Sequence, residues 1–286
     1  MSPDDVSVVL RALSLVTMLQ AAGVSLFIVA FGRHLADSAT SIRRTGAWSA
    51  FAAGPLLLAQ FSIEAARMAD DWSGIADTAL QSLAMTSSNG AVLGSRVLGL
   101  CLVAVGLRQN TSRGRVVSMI GVVLIAGSFA LTGHTSEHRL RALLAPLLFI
   151  HVLIVAFWFG SLLPLYLATQ RETASRAAQA VEAFSAVATW LVPTTAVAGL
   201  AMTLVFVRNF DAFRHPYGAL LIGKAAAFTA LMGLAALNKW RLAPAIATDE
   251  RVGPTFRRSL AMEYSLITTV LVGTAVMTTF FSPEPS

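Results

Sequence analysis

One cysteine is all that these 286 residues contain. A single thiol can form neither an internal disulfide nor a Cys-x-x-Cys metal clip, and Cys101 sits inside an apolar segment. Charge is scarce as well. Asp, Glu, Lys and Arg make up 13% of the chain, about half of the roughly 25% found in soluble domains. So few charges cannot cover a soluble surface. Three motifs are also missing: the Gly-x-x-x-x-Gly-Lys-Ser/Thr phosphate loop, the Gly-x-Ser-x-Gly nucleophile elbow and the His-Glu-x-x-His zinc pair. Their absence argues against ATP-driven pumping by this chain and against nucleophilic hydrolysis, so the sequence reads as that of a non-enzyme.

What it has in abundance is apolar sequence. Hydrophobic residues make up 56%, and the mean hydropathy is +0.69. They come in runs near or above the ~20 residues a helix needs to cross a bilayer. Eight such segments stand out, at roughly 6–31, 45–67, 91–107, 115–133, 141–168, 180–207, 217–237 and 258–281. Open strands in lipid would leave backbone groups unpaired, and the alternating ten-residue segments of an outer-membrane barrel are absent. The expected fold class is all-α, a polytopic bundle of eight transmembrane helices forming one domain over residues 1–286.

A net charge of +6 and a pI near 10.4 would suggest a nucleic-acid partner in a soluble protein. Here the basic residues sit in short loops, and no nucleic acid is expected. One alternating set of loops holds Arg33, Arg43, Arg44, Arg108, Arg113, Arg115, Arg171, Arg176, Lys239, Arg241, Arg251, Arg257 and Arg258; the other holds Arg67, Arg139, Arg141, Arg208 and Arg214. Thirteen against five places the first set in the cytoplasm by the positive-inside rule. The expected location is the bacterial inner membrane, crossed many times, with both termini periplasmic. The start, Met1-Ser2-Pro3-Asp4-Asp5, is acidic, unlike a cleaved signal peptide. The outer loop 68–90 has Asp70, Asp71 and Asp77 at its start. Its Trp72, Ile75, Leu80, Leu83 and Met85 suit a short interfacial helix, a lid over the helix ends or a metal-capturing loop.

Histidine is the rare residue that is concentrated. Of five, His134, His138 and His151 fall within eighteen positions. His134 and His138 are four apart, so they share a face if the fourth helix runs through them; if Gly133 breaks it, they are turn residues. His151 has only apolar neighbours for several residues on either side and lies about 15 Å inward of Arg141 by helical rise. A ring at that depth is a ligand, a relay or a neutral histidine bonded to a hydroxyl or carbonyl. Trp158, seven residues on, falls on a similar face.

The other polar residues within the spans are Arg11, Gln20, Glu64, Arg96, Lys224 and Glu263. Arg11 and Arg96 read as snorkelling outward. Glu64 lies near the outer end of its span, within reach of the histidine level. Glu263 is level with Asn238 and Lys239, where an ion pair and a proton or metal exit are both open. Met202 and Met277, in the outer halves of their spans, offer the thioether that Cu(I) favours, although single methionines ordinarily fill cores.

Taken together, Gly133-His134, His151 with Val155-Ala156-Phe157-Trp158-Phe159-Gly160-Ser161-Leu162-Leu163-Pro164, Tyr217-Gly218 with Lys224, Asn238-Lys239 and Glu263 resemble the CopD family of bacterial inner-membrane copper proteins. The resemblance covers most of the chain and is clearest from about 130 to 281. It implies eight helices, copper as a transported ion moving from periplasm to cytoplasm, and His134 and His151 as the family's histidines. His138, Glu64, Met202 and Met277 complete the candidate metal set. The methionine-rich outer segments of many copper carriers are missing, which favours delivery by a separate periplasmic copper-binding protein. Two other functions fit the same residues. A b-type haem electron carrier would need two imidazoles facing each other across the bundle, and a copper-delivery factor would serve periplasmic enzymes without transport.

Overall fold

Side chains set the helix starts. Ser2 accepts the Asp5 N–H while Asp5 takes the Ser2 N–H at 2.9 Å, a capping box ahead of α1 (Pro3–Phe31), which satisfies donors that a helix start otherwise leaves open. A short 3-10 turn leads into α2 (Ala39–Ala69), which ends at Asp70 with φ 52°. Asp77 caps α3 (Thr78–Thr86), Ser87 caps α4 (Ser88–Arg108) and Thr111 caps α5 (Ser112–Ser128). The long helices α6 (Arg141–Arg171), α7 (Ala174–Phe206), α8 (Pro216–Leu237) and α9 (Val252–Phe280) follow. The computed structural model describes residues 2–131, 139–206, 216–249 and 251–281, and no strand occurs among them. The expected mouth histidines His134 and His138 lie outside the described residues.

Seven of the described helices are long and apolar enough to cross a membrane, one fewer than the eight segments expected. The difference is α5, which corresponds to the expected 115–133 but has 17 residues. That is about 25 Å of helical rise, short of a hydrocarbon core of about 30 Å. Several helices also start earlier than their apolar cores: α2 at Ala39 and α7 at Ala174. Hydropathy marks the part of a helix suited to lipid, whereas its polar first turns run on into the loops.

The central element is α1, two-thirds buried, which touches α2, α4, α5, α6, α7 and α9. Small residues bring the backbones together, as is usual where lipid provides no hydrophobic drive between helices. Gly99 of α4 abuts the Gly121 carbonyl of α5, and Gly106 abuts that of Gly114. Aromatic rings of Phe27, Phe31, Phe157 and Phe184 link α1, α6 and α7. At the other extreme α8 is only 6% buried across its apolar window and rests mainly on α9.

Hydrogen bonds gather the arginine-rich loops at one end. Arg43 donates to Asn110 Oδ1 at 2.9 Å, Arg171 to Ser41, and Arg257 to the Thr169 carbonyl at 3.1 Å. The Glu172 carboxylate accepts from the Ala36 and Ser38 N–H groups and the Ser38 hydroxyl, all within 2.9 Å. At the opposite end the stretch after α2 folds back on it. Gln81 donates to the Ser62 carbonyl, while Trp72, Ile75, Leu83 and Met85 stay exposed. That stretch therefore has both a packed side and an apolar outward side.

Candidate functional site

The site is built around α6. Gly160 lets α6 lie against Gly23 of α1, and Gln20 donates to the Gly160 carbonyl at 3.1 Å. With α6 fixed in register, His151 and Trp158, about 10 Å apart along the axis, face the space shared with α7, α8 and α9.

His151 meets α7 where that helix has no side chain. A Cβ on Gly199 would stand 3.6 Å from the imidazole Cε1. The main chain at Thr195, one turn away, is the ring's polar neighbour, and the positive charge of Lys224 on α8 reaches it. Yet Nδ1 is buried and has no hydrogen-bond partner among the described residues. A buried, unpaired ring nitrogen is costly unless something binds it, and a neutral imidazole is an effective ligand for transition metals.

Met202 lies on the same face of α7 as Thr195 and Gly199, one turn farther from the basic end, and is half-buried. It is the candidate thioether nearest His151 in register. Met277 belongs elsewhere: on α9 it precedes Thr278, whose carbonyl takes a hydrogen bond from Arg11 at 3.0 Å. Glu64 is part of that same end. Arg67 holds both its oxygens, at 3.1 and 2.9 Å, Arg11 reaches Oε1 at 3.3 Å, and Arg67 also pairs with Asp4 at 2.6 Å. A metal cation at Glu64 would compete with two guanidinium groups. Arg11 thus turns inward to Glu64, where the sequence suggested snorkelling. Arg96 likewise donates to Ser128 Oγ at 3.0 Å and lies 4.7 Å over the Phe129 ring. No group of three or more His, Cys, Asp or Glu placed to hold a metal occurs among the described residues.

A second cluster lies outside the candidate metal set. Glu263 of α9 is 3% exposed and accepts hydrogen bonds from the Asn238 amide and the Trp158 indole. The ion pair with Lys239 that was open from sequence does not form. Lys239 instead donates to Thr189 Oγ1 of α7 at 2.6 Å. Asn238 starts a π-helical turn, Asn238–Leu242, at the end of α8, a widened geometry often found at functional positions. A cavity of about 240 Å³ lies beside the cluster, walled by Trp158, Phe184, Thr189, Met232, Asn238 and Glu263 among others. A carboxylate inside an apolar span, level with an asparagine, was the available signal. The missing information was which of two adjacent polar residues faced it.

Two family models match the chain. One, described as Copper resistance protein D-like, N-terminal domain, covers residues 2–139; the other, Copper resistance protein D, covers residues 178–277. The chain belongs to the CopD family of copper resistance proteins. The first match runs over α1 to α5 and the second over most of α7 to α9, so Asn238 and Glu263 fall within family-matched sequence. No curated protein and no solved structure matches the chain. Membership ties a polytopic helical membrane protein to copper resistance.

Proposed function

We infer that this CopD-family chain carries copper ions across the bacterial inner membrane, from periplasm to cytoplasm, without converting them chemically. In this reading eight segments span the bilayer, α5 and the residues after it forming the fourth. The arginine-rich end is cytoplasmic and both termini are periplasmic. Copper arrives from a separate periplasmic copper-binding protein and is received by His134 and His138. It then passes His151, with Met202 one turn outward on α7.

The observation that carries this reading is the buried, unpaired Nδ1 of His151, three turns into α6. Family membership supplies the ion, and the open ring nitrogen supplies a stopping place within the membrane. A single imidazole with an occasional thioether binds weakly enough for an ion to leave again, which conduction requires. Imidazole also accepts both copper oxidation states.

Copper uptake into proteoliposomes tests it, with His151→Ala and His151→Gln beside the wild type. Both variants should insert and accumulate normally, because neither strands a partner of Nδ1. Uptake should fall at least about tenfold, the scale on which weakened metal sites lose function. Glutamine can replace a hydrogen bond but is a poor copper ligand. Normal uptake by His151→Gln would show that the ring is structural.

A further inference from the structure

Glu263 is a buried carboxylate without a cation. Its two donors, Asn238 and Trp158, are neutral, and the nearby ammonium of Lys239 is engaged by Thr189. An isolated anion is expensive at this depth, so the position favours whatever positive charge can reach it. The donor set decides which. Carboxylate and amide oxygens are hard ligands, poorly suited to Cu(I), and a proton suits them best.

Asn238 makes both protonation states workable. It is 8% exposed, and its Oδ1 is buried without a partner. An ionised carboxylate only accepts, so it takes the N–H groups of Asn238 and Trp158 and leaves Oδ1 empty. A protonated carboxyl also donates. A half-turn of the Asn238 amide then presents Oδ1 to that O–H, while the Trp158 indole still donates to the carboxyl. A lysine in place of Asn238 would hold Glu263 ionised; an asparagine serves either state. The adjoining cavity extends to Trp240, which is 72% exposed, so the site opens towards the bundle surface.

The surroundings carry few competing charges. Among the residues lining the cavity α6, α7 and α8 contribute no titratable side chain, and the π turn after α8 contributes Lys239. On α9 itself the neighbouring Tyr264 stacks on Phe159 at 4.6 Å. His151 lies about 10 Å farther along α6, Lys224 about 21 Å along α8, and Arg11 of α1 meets α9 about 22 Å from Glu263.

We propose that Glu263, with Asn238 as its two-way partner, is a reversible proton site that fills and empties as the cargo crosses, linking copper movement to proton movement. The proton adds to a Glu263 carboxylate oxygen and leaves from it to water, with no other bond made or broken. The linkage rests on the transport reading above; the proton site does not.

Infrared difference spectroscopy on the purified protein in liposomes, stepped through pH, tests the site directly. The wild type should show a protonated-carboxyl stretch that vanishes reversibly as pH rises and is lost in Glu263→Gln, a variant of the same shape. Asn238→Leu should shift its midpoint, because leucine can neither donate nor accept. Absence of any Glu263-dependent band overturns the proton site, and an unmoved midpoint in Asn238→Leu overturns the role of the amide. In the same liposomes, reversing an imposed pH gradient should change copper uptake by the wild type and leave Glu263→Gln indifferent. Wild-type uptake that ignores the gradient overturns the linkage while the transport reading stands. No copper uptake at all by the wild type defeats the transport reading and the linkage together, and the infrared result still decides the proton site.

Discussion

Gly23 of α1 and Gly160 of α6 leave no space for a side chain between them. A Cβ on Gly23 would come within 2.5 Å of the Gly160 Cα and 2.0 Å of the Ala156 carbonyl oxygen. Both obstacles are backbone, so neither can rotate away. This contact sets the register of α6 and with it the height of His151 and Trp158.

Gly23→Ala should therefore push α1 and α6 apart and cost about 1–3 kcal/mol, the range for overpacking a tight contact. Gly233→Ala in α8 is the control. Nothing lies within 4 Å of a Cβ there, and alanine is the better helix former, so that variant should be neutral or slightly stabilised. Thermal unfolding in one detergent compares them. Equal midpoints for the two variants would mean that the close approach bears little load.

Much of this bundle was legible in the sequence because apolar length is a direct consequence of bilayer thickness. The central place of α1 was not. Its burial depends on Gly23 and Gln20 meeting a helix more than 130 residues away, and hydropathy is blind to partners. The same distinction runs through the site. That His151 would lie well inside a helix with a shielded ring nitrogen was legible from its apolar neighbours. That Glu64 would be held by Arg11 and Arg67, and that Glu263 would choose Asn238 over Lys239, required knowing which way helices turn. At Asn238 the π turn changes that rotation locally, so an ordinary helical count misplaces the side chains after it.

Orientation can be tested with cysteines. After replacement of Cys101, which is exposed on α4, single cysteines at Arg113 and Ser73 mark opposite ends of the bundle, and both positions are exposed. The thirteen-to-five distribution of basic residues predicts a cytoplasmic 113 by the positive-inside rule. An impermeant thiol reagent added to intact spheroplasts should then label Ser73→Cys and spare Arg113→Cys until the membrane is opened. The reverse pattern would invert the direction assigned to copper movement.

Glu172 gives the fold a pH dependence of known sign. It lies just past the end of α6, outside the span, and ties α6 to the loop between α1 and α2. Burial opposes its charge, but the Ser38 hydroxyl and the N–H groups of Ser38 and Ala36 outweigh that and hold the carboxyl below its usual range. A depressed folded value means that unfolding favours proton uptake. The stabilisation is complete above the ordinary carboxylate range and is lost as pH falls through the folded value. The wild type should consequently lose thermal stability on acidification, starting where an unfolded glutamate begins to protonate. Glu172→Gln removes the titrating group. At neutral pH it should be less stable by roughly 1–3 kcal/mol, the usual cost of weakening charge-assisted bonds to buried donors. Its midpoint should also change less than that of the wild type across the acid range. Exposed carboxylates such as Asp71, also held low by Ser73, act on both proteins alike, so the difference between the two curves isolates Glu172. Parallel curves for wild type and variant would show that the bonds to Ser38 and Ala36 contribute nothing that depends on charge.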